Sequence, residues 1–211
     1  MTSAVAIQRK RADLNAGQGL PDLSWGASAI SKVVEKRISD LQKLTAGAVS
    51  VIGKTADTQP SGTTENQLRV KLAAMKQVLM PVSMYFDPSW RRELIEKFER
   101  FHDAEDWEGD REFPSERSFA TFLRTIIYLH PTKRPGLGLS AQGHFLASWR
   151  RGSDRIVIEF LPNDELKWVL SQTVEGDRES GAGINQIHRL PDLIAGYQPD
   201  RFFNDGEKLL S

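Results

Sequence analysis

No cysteine occurs among the 211 residues, which excludes disulfide staples, thiolate zinc sites and cysteine nucleophiles and fits a reducing compartment. No apolar run approaches the ~20 residues that a membrane-spanning helix needs. The first residues, Met1 to Arg11, place their charges after a short apolar stretch, the wrong order for a secretory signal. Cytoplasm is the expected compartment, with no membrane partner. Histidine is scarce, and His102, His130, His144 and His188 are too dispersed for a metal motif of the His-Glu-x-x-His kind, so no metal is expected. Neither a phosphate-binding loop ending in Gly-Lys-Ser/Thr nor a Gly-x-Gly-x-x-Gly between strand and helix is present, so no cofactor is expected either.

Net charge is also absent overall, yet the charges are laid out in blocks. Residues 87–116 hold 5 basic against 11 acidic side chains, and residues 117–155 hold 7 basic against 1 acidic. Such alternation favours complementarity within the molecule or with a protein partner over a uniformly basic nucleic-acid binder.

What the chain does contain is regular patterning. Residues 1–24 have no sustained periodicity and read as a flexible arm. Residues 25–53 hold an amphipathic helix, because Ile30, Val34, Ile38, Leu41, Leu44, Ala48 and Val51 recur at three- and four-residue steps along one stripe. Small, polar, Pro- and Gly-bearing residues 54–64 read as a linker, and 65–211 as a globular domain. In that domain a helix from Glu65 ends at Pro81, and Asp87-Pro88 supplies a cap and first turn for the next. Pro114-Ser115 then introduces the most apolar helix, with Phe119, Phe122, Leu123, Ile126 and Ile127.

Between Leu137 and Val174, four alternating segments are separated by turn residues, the pattern of an antiparallel meander. Phe145, Ala147, Trp149, Ile156, Ile158, Phe160, Leu166, Trp168 and Leu170 share one face, which requires a helix over it. The expected fold is therefore α+β: N-terminal helices followed by a four-stranded antiparallel β-meander packed on a helix. The glycine-rich stretch Gly176 to Gly183 reads as a connecting loop.

Three functional readings follow. The leading one is a non-enzymatic interaction module, an oligomerising or regulatory subunit, that engages a protein partner or its own copy through the stripe from Ile30 to Val51; packing of that helix back on the domain is the alternative. The second is nucleic-acid binding through Arg124, Lys133, Arg134, Arg150, Arg151 and Arg155, where cations would neutralise phosphates. Against it, Trp149 and Trp168 fall on the face expected to be buried, and Asp154 and Glu159 offer the arginines local partners. The third is a hydrolase using His130, His144 and Glu159, which requires these groups to converge in one cleft. The plainer reading of Glu159 is a cross-strand charge pair with Arg150 and Lys167. The acidic segment from Asp103 to Asp110 lacks the full calcium-loop pattern and reads as solvated surface.

Overall fold

The computed structural model describes residues 36, 38–46, 63–101 and 112–204. The arm of residues 1–24, most of the linker and the acidic segment lie outside them. Residues 38–46 form helix α1, and α2 covers Thr64–Leu79. Pro81, lacking an amide donor, changes the geometry at the end of α2 to a 3-10 turn over Met80–Tyr85. Helix α3, Pro88–Phe101, starts where Asp87 accepts the Trp90 amide at 2.9 Å and proline takes the first helical position. Helix α4, Glu116–Leu129, is capped by Ser115, whose hydroxyl accepts from the Ser118 amide, and is closed by His130 in the left-handed conformation.

Five strands follow, not four: β1 Gly136–Leu139, β2 Phe145–Arg151, β3 Asp154–Phe160, β4 Glu165–Val174 and β5 Asp177–Gln186, paired antiparallel in chain order. The supposed loop is a tight turn and most of β5. Glu175 and Gly176 both have positive φ, as a two-residue hairpin turn requires. Gly181 and Gly183 lie opposite Leu170 and Trp168. A Cβ at 181 would stand 2.6 Å from the Tyr197 hydroxyl, and one at 183 would stand 3.1 Å from the Trp168 indole nitrogen. These glycines make room for rings on a strand, where composition alone suggested a flexible connection.

All nine residues expected on the apolar face are buried. The rings of Phe119 and Phe145 lie 5.0 Å apart, and those of Phe122 and Phe160 5.2 Å. Ser118 donates to the Phe160 carbonyl and accepts from the Phe145 amide, so one hydroxyl joins the start of α4 to facing residues of β2 and β3. Past β5 the chain forms α5, Leu190–Ile194, and α6, Asp200–Phe203, which places the Phe203 ring edge-on to Trp149 at 4.9 Å.

A second anchor is polar. Arg124 of α4 and Asp164, both buried, form an ion pair at 2.5 Å. Gln42 donates to Asp164, and Arg124 donates to Thr45, so α1 is tied to the β3–β4 connection through one network. Asn163 and Asp164 both adopt positive φ to present that carboxylate.

Candidate functional site

Alternation places a second set of side chains on the opposite face of the sheet. Register aligns Leu146, Glu159, Lys167 and Ile184 in one row; Ser148, Val157, Val169 and Ala182 in the next; and Arg150, Arg155, Ser171 and Ser180 in a third. Val169 is 45 % exposed and Ile184 59 %, while Leu146 and Val157 are half-buried. An aliphatic strip therefore crosses the middle of this face, with charged groups at both ends.

At one end, His144 Nδ1 lies 3.0 Å from the Glu159 carboxylate and Lys167 lies 3.7 Å from its other oxygen. Arg150 does not flank Glu159, as the simple register suggested: Leu146 stands opposite the glutamate, and Arg150 stands opposite Arg155. At the other end, Arg150, Arg155 and Arg178 line a hollow of about 190 Å³ with Gly152, Ser153 and Asp154. Arg178 Nε donates to the Ser171 hydroxyl at 2.9 Å. The Asp154 carboxylate is already satisfied, accepting from the Thr173 amide at 2.8 Å and pairing with Arg201 at 2.8 Å. It therefore does not serve as the local partner of Arg150 and Arg155 that sequence proximity implied.

A second hollow, of about 280 Å³, lies between α3 and the end of α4, with Phe86, Trp90, Ile126, Ile127 and Pro131 as apolar walls and Tyr85, Asp87, His130, Thr132 and Arg134 among its polar lining. Its charges are matched. Arg134 reaches Asp87 at 3.2 Å and Glu93 at 2.9 Å. The Ser89 hydroxyl and the Trp90 amide, with Arg134 beside them, hold the Asp87 carboxyl below its ordinary value. Lys97 and Arg134 do the same for Glu93. Burial, with Asp192 nearby, raises the Tyr128 phenol.

The residues singled out from sequence thus separate. Of the helical stripe, Ile38 and Leu41 belong to the chain's own core and Leu44 is 43 % exposed; Ile30, Val34, Ala48 and Val51 lie outside the described residues. Of the six cations, Arg124 is buried on Asp164, Lys133 donates to the Arg150 carbonyl, and Arg134 is held by Asp87 and Glu93. Arg150, Arg151 and Arg155 are exposed. His144 and Glu159 meet, whereas His130 lines the hollow beside α3, whose lining includes neither of them. Sequence reasoning missed Arg178, Ala182 and Ile184, although Arg178, Ser180, Ala182 and Ile184 follow the strand alternation after a Glu-Gly turn.

Among the described residues, no group of three or more His, Asp or Glu side chains is placed to hold a metal ion, and no helix is long and apolar enough to cross a membrane. Comparisons with family models, curated proteins and solved structures returned no match.

Proposed function

We propose that the chain is a non-enzymatic cytoplasmic protein-interaction module, a regulatory or oligomerising subunit, whose docking surface is the open face of the sheet. The observation that carries this reading is the aliphatic strip of Val157, Val169, Ala182 and Ile184 left exposed or half-exposed between charged ends. Apolar side chains gathered on one uncovered face gain from burial at roughly 25 cal/mol per Å² when a partner covers them. The occupant that fits is a protein segment carrying aliphatic side chains and acidic groups, the latter facing Arg150, Arg155 and Arg178. The N-terminal helix is a second contact in this reading, through those stripe residues not used by the core.

A photo-crosslinking amino acid at position 184, compared with one at the equally exposed Val70 of α2, tests this in native extract. Discrete adducts from 184 that are absent from 70, and that vanish when Val169→Asp is added, are expected. Identical adduct patterns at both positions would refute the docking face.

Nucleic-acid binding through Arg150, Arg151 and Arg155 is the second reading. It is supported by their exposure and weakened by the engagement of Arg124, Lys133 and Arg134 in internal contacts. The open face presents aliphatic side chains, with no Phe, Tyr or Trp in its rows on which a base could stack.

A further inference from the structure

Arg150 and Arg155 face each other across β2 and β3, and like charges in directly opposed positions destabilise a sheet. Arg178 of β5 lines the same hollow, its Nε donating to the hydroxyl of Ser171, the residue opposite Arg155. Among the described residues, none of these three has a carboxylate within ion-pair distance, while nearby Asp154 is neutralised by Arg201. The contrast with Arg134, held between Asp87 and Glu93, is direct.

We infer that Arg150, Arg155 and Arg178 form an oxyanion site for a phosphorylated serine or threonine of the protein partner. Three arginines lining one hollow offer planar forks that suit the three terminal oxygens and near-double charge of a phosphoryl group better than the two oxygens of a carboxylate. The ligand is protein-borne rather than a nucleic-acid backbone because the arginines run into the strip of Val157, Val169 and Ala182, which suits side chains and offers no stacking platform. The choice of a protein-borne ligand rests on the docking reading above; the oxyanion site itself stands on the arginine geometry.

The test is an NMR titration of the full-length protein, observing backbone amides and arginine Nε–H groups. Four probes are used: inorganic phosphate, a Val/Ile-flanked phosphoserine peptide, the same peptide unmodified, and a single-stranded oligonucleotide. Saturable shifts confined to Arg150, Gly152, Ser153, Arg155 and Arg178 are expected with inorganic phosphate. The phosphopeptide should bind about 10-fold or more tighter than the unmodified peptide, given the strength of charge-assisted bidentate bonds. Arg155→Gln should weaken it by about 10-fold, and Arg178→Lys, which keeps charge but loses the fork, should weaken it too; Arg151→Gln, an exposed cation outside the hollow, should change it by less than about 2-fold. Shifts spread over all surface cations, or equal binding of the two peptides, would overturn the site. An oligonucleotide that outcompetes the phosphopeptide would overturn the protein-borne ligand. Saturable binding of inorganic phosphate alongside a failed crosslink at 184 would leave the oxyanion site standing and remove only the docking face.

Discussion

Along β3, Ile156, Ile158 and Phe160 are wholly buried, while Arg155, Val157 and Glu159 between them remain exposed or half-exposed. The same alternation runs through β2 and β4, so a single set of strands carries two surfaces with different chemistry. On the covered side, the charged and hydroxyl groups that enter are matched, Asp164 by Arg124, Asp154 by Arg201 and the Ser118 hydroxyl by two backbone groups, while the side-chain oxygen of buried Gln172 has no partner among the described residues. On the open side, arginines are set directly against each other and aliphatic side chains are left to solvent. That asymmetry is the observation on which the proposal of a docking face rests.

Substitutions on the covered side should therefore cost far more than those on the open side. The largest effect is expected for Asp164→Ala, which strands Arg124 without its counter-charge and removes the acceptor for Gln42. Denaturant unfolding should show a loss of about 3–5 kcal/mol. Arg124→Met in the same background should recover part of it, because the orphaned charge is then gone. Next comes Ser118→Ala. It leaves the buried Phe145 amide and Phe160 carbonyl without that hydroxyl, at about 1–3 kcal/mol, and a loss below about 0.5 kcal/mol would argue against α4 being fastened there. The smallest effect has the opposite sign. Arg155→Thr relieves the facing pair with Arg150 and should raise stability by about 0.2–1 kcal/mol in low-salt buffer, measured as a shift in the denaturation midpoint. A loss would mean that Arg155 is structural and the two faces are not distinct in kind.

The covered face was legible because β-strand alternation is a local signal: nine apolar residues at every second position fix both strands and sides. The starts of α3 and α4 were equally visible in Asp87-Pro88 and Pro114-Ser115. Strand β5 was hidden because Gly181 and Gly183 imitate a loop, and the rings that require them, Tyr197 and Trp168, cannot be seen from the stretch itself. With β5 went Arg178, so the hollow could not be assembled. Arg124 looked like a surface cation for a related reason. Its partner lies 40 residues away, at a turn where two successive residues adopt positive φ. Long-range pairing of this kind leaves no periodicity in the chain. Part of the N-terminal stripe is a core element, Ile38 and Leu41, and Gln42 and Thr45 of the same helix join the Arg124–Asp164 network, a long-range contact that the stripe's own periodicity does not reveal.

The most direct measurement is the crosslinking yield from position 184 on the open face against that from position 70 on α2, both in the full-length protein. Discrete partner adducts at 184 alone, abolished by Val169→Asp without a change in melting temperature, are the predicted result; equal yields at the two positions would contradict an open face built for docking.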